Sequence, residues 1–310
     1  MKVQIFYKRT YFAFDLYINS IRDIFKNDSY FLNHNYELST IKDLNIFSSE
    51  ENIDFLILFL NDIESIFNIN TKNTKIIFIH ADYLLNHSKS DQDLMHKYIN
   101  EINPNNSYIW EYNQLNIQLY NNKFSNKKYT FIPLLYNNYL EQIYEPYKLK
   151  IPFHKKKVDV LFPGSECERR KLLLDKISKK YNLVSINFIS NVEEYIKHIE
   201  NSKIVINIYS SETNKPFDYY RFALLYSNKV FLITESPQNI DFEIEKNLIE
   251  LKDTMICAKY DDIIHEIEKY LNKTEEEINQ ITEKSYNSFK RFPMNQYIID
   301  FFEKFSSSRV

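Results

Sequence analysis

Two short runs, "IDFLILFL" (Ile53 to Leu60) and "KIIFIHAD" (Lys75 to Asp82), are apolar at nearly every position. A strand with one wet face alternates polar and apolar residues. A strand buried on both faces does not, and that is the condition of a parallel sheet covered by helices on each side. Between and after such runs the chain changes period. "YFAFDLYINSIRDIFKN" sets Phe14, Tyr17, Ile21, Ile24 and Phe25 at helical spacing,. "DQDLMHKYINEI" is a helix opened by acidic residues, as the helix dipole favours,. Strands alternating with helices in this way build crossover units and an open parallel sheet.

The alternation breaks once, in "YEPYKLKIPFHKKK" (Tyr144 to Lys157), which has two prolines, a basic cluster and no period,. It then restarts with "VDVLFP", "LVSINFI", "KIVINIYS", "KVFLITE" and "MICAKY" as strands, separated by helical segments. The 310 residues suffice for two domains of ordinary size,. We therefore expect an α/β protein of two Rossmann-like doubly wound domains, residues 1–150 and 151–310, facing a cleft at the carboxyl ends of both sheets. Pro293 is expected to break the two terminal helices, the last of which is free to return to the first domain,.

No apolar run approaches the roughly 20 residues of a membrane span, and the N-terminus lacks the pattern of a signal peptide. A cytoplasm is the expected location, a host's if the source is a virus. Cys167 and Cys257 have no metal or redox spacing and read as reduced thiols,. The net charge of −3 gives no global attraction for nucleic acid, which is not expected as a partner,.

Gly164 is the only glycine in the chain. It closes the first strand of the second half, "VDVLFPGSECERRKLLLDKI", just before a helix carrying Arg169 and Arg170. Glycine permits close backbone approach to a phosphate, a helix N-terminus binds anions, and arginines add charge. The plainer reading is a glycine needed for positive φ, with the arginines paired to Glu166 or Glu168. Further on, "NIYSSETNKPFDYYRFALLYSNKVFLITE" places Arg221 among apolar helix positions, with Asp218 one turn earlier,. Arg221 either forms a structural ion pair with Asp218 or neutralises a phosphate.

These segments resemble the C-terminal domain of group 1 glycosyltransferases with the GT-B fold, particularly their spore-protein-like branch. The matching positions are Gly164, Ser165, Arg169, Arg170, Asn207, Asp218, Arg221 and Glu235. "YIWEYNQLNI" and "TFIPLLY" are similar to the pattern before the interdomain linker of that branch, so the resemblance runs from about Tyr108 to Glu235. It implies sugar transfer from a nucleotide-diphosphate donor, UDP- or GDP-linked, to a glycan or other hydroxyl acceptor. It also implies a site needing no metal ion or further cofactor. The donor would meet Gly164, Ser165, Arg169, Arg170, Asn207, Tyr209, Asp218, Arg221 and Glu235, with Arg221 also acting on the leaving diphosphate. Many relatives have a Glu two residues after that arginine, where this chain has Ala223, and several have His at Tyr209. Such departures keep open a non-catalytic nucleotide- or glycan-binding protein of the same fold.

For an inverting reaction a base must take the acceptor proton. His80 and Asp82, at the carboxyl end of "KIIFIHAD", are the expected catalytic groups, with Glu111 as a further possibility. "DQD" (Asp91 to Asp93), the one Asp-x-Asp triplet, reads as a helix start and not as a metal site.

Overall fold

The computed structural model describes residues 1–7, 12–41, 53–59, 74–80, 89–101, 105–149, 151–186, 191–237 and 251–306. The chain divides into two units. One comprises residues 1–10, 14–134 and 293–310, the other residues 135–292 with the short stretch 11–13.

The first unit holds strands β1 (Lys2–Phe6), β2 (Glu37–Ile41), β3 (Phe55–Phe59), β4 (Lys75–His80), β5 (Ser107–Glu111) and β6 (Tyr129–Phe131). All pair in parallel, in the order β2-β1-β3-β4-β5-β6. Its helices are α1 (Phe12–Asn27), α2 (Ser29–Asn33), α3 (Lys89–Glu101) and α4 (Gln114–Lys123), joined by the C-terminal helix. The second unit holds α5 (Asn138–Gln142), β7 (Val158–Pro163), α6 (Glu168–Ser178), β8 (Leu183–Ile186), α7 (Val192–Glu200), β9 (Ser202–Asn207), α8 (Tyr219–Ser227), β10 (Leu232–Glu235) and β11 (Ile256–Ala258). Helices α9 (Ile263–Leu271) and α10 (Glu275–Lys290) follow, and α11 (Met294–Ser306) ends the described chain in the first unit. The second sheet is also parallel, ordered β11-β10-β9-β7-β8. Both units are thus doubly wound, with the chain reversing direction across the sheet between β1 and β3 and between β7 and β9.

The continuous apolar runs are explained by cover on both faces. In β3, Leu56 and Leu58 point into a cluster with Ile99 of α3 and Tyr120 of α4. The alternate residue Phe55 packs on α11, its ring centroid 5.0 Å from Phe302 and 5.2 Å from Phe305. Trp110 of β5 lies on the same face, 5.2 Å from Phe301, and is fully buried in the first unit's core. In the second unit Val160, Phe162, Ile204, Ile206 and Ile233 meet Leu173 and Ile177 of α6 and Ile263 and Ile267 of α9. The opposite-facing Leu161 and Val205 are buried as well. The edge strand β2, with only Leu38 and Ile41 apolar among five residues and mostly exposed, escaped the periodicity reading because exposed residues fall on both of its faces and leave no alternation,. Among the described residues no helix is long and apolar enough to cross a membrane.

Phe302 contacts the rings of Phe25, Phe31, Tyr36, Phe55 and Trp110. Its truncation to Ala should cost about 3–5 kcal/mol. Denaturant unfolding followed by fluorescence of Trp110, the only tryptophan, reads the first unit directly. A loss below about 1 kcal/mol would show that α11 adds little to that core.

Candidate functional site

Reversal of winding between β7 and β9 leaves a crevice beyond their carboxyl ends, the usual ligand position in open α/β sheets. The residues singled out from the sequence gather there. β7 ends at Pro163, β9 at Asn207 and β10 at Glu235, and α6 and α8 bring in the arginines.

Gly164 is not at positive φ. Its amide is spent in the sheet edge, donating to the Ile186 carbonyl at 3.0 Å. Neither does it open the helix directly, because α6 starts at Glu168 with Cys167 as N-cap. What a side chain would disturb is Phe162: a Cβ at position 164 would lie 2.9 Å from the ring's Cζ. Phe162 is fully buried, and the Arg170 guanidinium sits 5.6 Å from its ring centroid. The glycine therefore makes room for the ring on which Arg170 rests. Cys167 makes no side-chain cap bond, so the first amides of α6 depend on solvent or a ligand.

Arg170 bridges the switch point. Its Nε donates to the Ile208 carbonyl at 2.8 Å and its Nη1 to the Ser165 carbonyl at 2.8 Å. No carboxylate pairs with it among the described residues. Arg221, from α8, donates to the Asn207 side-chain carbonyl and lies 3.5 Å from the Asp218 carboxylate. Asp218 also caps α8, accepting from the Arg221 amide at 3.1 Å. Asn207 is held from behind by donating to Thr234 Oγ1 at 3.0 Å. The two guanidiniums are close enough to feel each other. Burial, and after it the Arg221 charge, hold the Arg170 pKa below the usual arginine value. Arginine stays protonated regardless, so Arg170 keeps its charge in a partly desolvated position where an anion would be a favourable neighbour.

Arg169 is used differently. Its fork grips Glu235 through Nη1 at 2.9 Å and Nη2 at 2.7 Å, and Nη1 reaches the Tyr209 carbonyl at 2.7 Å. The Tyr209 amide donates to the same carboxylate at 3.0 Å. Glu235 is 1% exposed. The expected partners Glu166 and Glu168 are replaced by this residue, 66 positions away. Tyr260 lies under the guanidinium, 4.0 Å from centroid to Cζ, and its hydroxyl donates to the Arg169 carbonyl at 2.5 Å. Lys215 stands 3.5 Å from Glu235. Tyr260 and Lys215 were missed in the sequence; Lys215, the one basic residue of the "SSETNKP" loop, carried the better signal. Ala223 is fully buried in α8.

In the first unit His80 and Glu111 are cross-strand neighbours at the carboxyl ends of β4 and β5. The imidazole Nδ1 lies 2.5 Å from Glu111 Oε2, and Nε2 lies 3.4 Å from the Tyr120 hydroxyl. Glu111 Oε1 accepts from the Asn113 amide at 3.2 Å and the Asn116 amide group at 3.1 Å. Burial raises the Glu111 pKa, with His80 working against it. At 2% and 0% exposure the pair is interior, whereas a base must come within hydrogen-bond reach of the acceptor proton. As placed, the His80 imidazole is engaged by Glu111 and Tyr120. Asp82 lies outside the described residues. Among the described residues no group of His, Cys, Asp and Glu could hold a metal ion.

No known family model matches the chain. An uncharacterised protein of Acanthamoeba polyphaga mimivirus is 26% identical over 121 residues. That match takes in 37% of this chain and 42% of the viral protein, so the chain spans about two fifths of its curated relative's length. Among solved structures, sucrose-phosphate synthase from Thermosynechococcus elongatus superposes with a TM-score of 0.66 at 7% identity, covering 99% of this chain and 100% of that one. AviGT4, a glycosyltransferase involved in avilamycin A biosynthesis, gives 0.54 at 10% identity over 99% and 97%. The N-terminal domain of Candida albicans trehalose-6-phosphate phosphatase gives 0.52 at 12% identity over 94% and 76%. At such identities the likeness concerns fold alone, and the fold is the GT-B fold.

Gly164→Ala should destabilise the second unit by about 1–3 kcal/mol through the clash with Phe162. Adding Phe162→Leu should recover part of that loss, measured by thermal melting of the single and double variants. An additive double variant would mean that the ring is not what the glycine accommodates.

Proposed function

We propose that the chain is a glycosyltransferase of the group 1, spore-protein-like type, moving a sugar from a nucleoside-diphosphate donor, UDP or GDP, to a glycan or other hydroxyl acceptor. The observation that carries this reading is the Arg170–Arg221 pair, two mutually repelling guanidiniums held at the switch point of a parallel sheet. Diphosphate binding there would turn repulsion into two charge-assisted contacts. The GT-B fold supports the reading by analogy.

When the glycosidic bond to the donor phosphate breaks, negative charge collects on the leaving diphosphate. Groups already aimed at that charge lower the barrier without reorganising. Arg170 and Arg221 are assigned this role, helped by the backbone from Ser165 to the first turn of α6. The charge falls on guanidiniums and amides, with no part given to a metal ion. Asn207 and Asp218 orient Arg221. Arg169 and Glu235, being bound to one another, act as positioning residues that hold Tyr209 and the β9 edge. Glu235 is therefore not assigned to the ribose hydroxyls, and Ala223 offers no group in its place. No base is assigned to His80; Asp82 keeps that role in this reading if the reaction inverts. Nucleic acid has no part in it.

Arg170→Gln and Arg221→Gln should each weaken nucleoside-diphosphate binding about 10- to 100-fold, the worth of one charge-assisted contact of roughly 1.5–3 kcal/mol. Calorimetry with UDP and GDP, followed by diphosphate release from a panel of nucleotide sugars with and without glycan acceptors, checks this. Absence of any thermal shift with these nucleotides would sink the reading. Binding without diphosphate release would instead mark a nucleotide-binding protein of the same fold.

A further inference from the structure

The amino edge of the second sheet holds a cavity of about 120 Å³. Its walls are the starts of β9 and β10, the ends of α7 and α8, the first turns of α10, Tyr144, and the residues Ile151, Phe153 and Lys156 that lead into β7. The six residues of β9, about 20 Å of strand, separate it from the arginine cluster. Its lining is mostly polar, with hydrogen-bonding groups from Ser202, Asn228, Asn279 and Thr282.

Five charged residues face this space: Lys156, Lys203, Lys229, Glu200 and Glu275. Four have partners. Lys203 pairs with Asp159 at 2.7 Å and Lys229 with Glu283 at 2.6 Å. Glu200 uses both oxygens, accepting from the Tyr144 hydroxyl at 2.6 Å and the Leu149 amide at 2.9 Å. Glu275 lies 3.5 Å from His154. Lys156 alone neither donates a side-chain hydrogen bond nor closes an ion pair among the described residues. Burial lowers its pKa, against the pull of Glu200 and Glu275. A half-buried ammonium with three unused donors, facing a polar cavity, lacks an acceptor.

We propose that this cavity is a second ligand site, for a small polar molecule bearing a phosphate group, with Lys156 as its charged contact. The Ser202 and Thr282 hydroxyls and the Asn228 amide already donate to the His198, Asn279, Leu140 and Leu224 carbonyls, which leaves their oxygens, with the Asn279 side chain, to accept from the hydroxyls of a short polar body,. A volume near 120 Å³ holds a few waters or a molecule of several heavy atoms, and is smaller than the usual 300–1,000 Å³ of pockets for drug-sized ligands. A whole sugar nucleotide is thereby excluded, so the site is not a second donor site. Because Ile151, Phe153 and Lys156 form one wall, occupation would brace the chain entering β7.

The test is calorimetric titration of inorganic phosphate and of glycerol 3-phosphate into Arg221→Gln, which weakens the arginine end, and into the same variant carrying Lys156→Met or Lys156→Arg. Saturable binding is expected in Arg221→Gln, at least tenfold weaker with Lys156→Met and regained with Lys156→Arg. In phosphate-free buffer Lys156→Met should melt no lower than its parent, since the ammonium it removes has no partner. Three results would each overturn the proposal: no binding to Arg221→Gln, binding unchanged by Lys156→Met, or a lower melting temperature of that variant without phosphate. The last would show the ammonium already satisfied by Glu200 and Glu275.

Discussion

Glu235 ends β10 with its carboxylate 1% exposed, a position where an isolated charge would cost several kcal/mol. The cost is met by the Arg169 fork, the Tyr209 amide and Lys215, which come from α6, the segment after β9 and the loop that follows it. One buried anion thereby fixes the relative positions of three carboxyl-edge segments. Arg170, the next residue along α6, inherits its placement from that clamp. Asn207 is held beside it by the strand itself, donating to the Thr234 hydroxyl, which donates in turn to the Glu235 backbone carbonyl, and it hands Arg221 its acceptor. Remove the clamp and the two arginines that face an anion lose their frame.

The division of labour among the three arginines could not be read from their spacing. Arg169 and Arg170 are adjacent, and α6 turns them about 100° apart. That rotation sends one into Glu235 and Tyr260 and the other across the switch point to Ile208 and Ser165. Sequence supplies the charge and the helix; the partner comes from a strand 66 residues on. Asp218 and Arg221, three residues apart on one helix, were by contrast legible as neighbours because the contact is local. What the local reading left out was Asn207 as a second acceptor for Arg221, contributed by strand β9.

The alternation of strands and helices was legible wherever cover is two-sided, because burial on both faces removes polar residues and leaves runs such as those of β3 and β4. It failed at the edge strand β2, where solvent reaches both faces and permits Glu37, Ser39 and Thr40,. Gly164 was legible as special, but for the wrong local reason. Composition marks the position as unusual; the fold shows that a side chain there would meet the ring of Phe162, two residues earlier in the same chain. The His80–Glu111 pair lies between these cases. Both residues were visible at strand ends, yet their register, and hence their mutual burial, depends on the pairing of β4 with β5.

A parallel sheet makes its two edges chemically unlike. At the carboxyl edge, strands end and helices begin, so backbone amides and the residues just after each strand converge; this is where Arg170 and Arg221 stand without a shared carboxylate. At the amino edge, helices end and strands begin, so carbonyls and the basic residues of last turns collect instead. An unpaired ammonium at that edge is less surprising than an Arg170 guanidinium without a carboxylate at the other, because Lys156 has Glu200 and Glu275 within its field. What argues for a ligand at both is the same physical fact. Carboxylates at both edges are already engaged: Glu235 by Arg169, Asp218 by its helix cap as well as Arg221, Glu200 by Tyr144 and Leu149. The charge left over after that pairing marks where an anion fits.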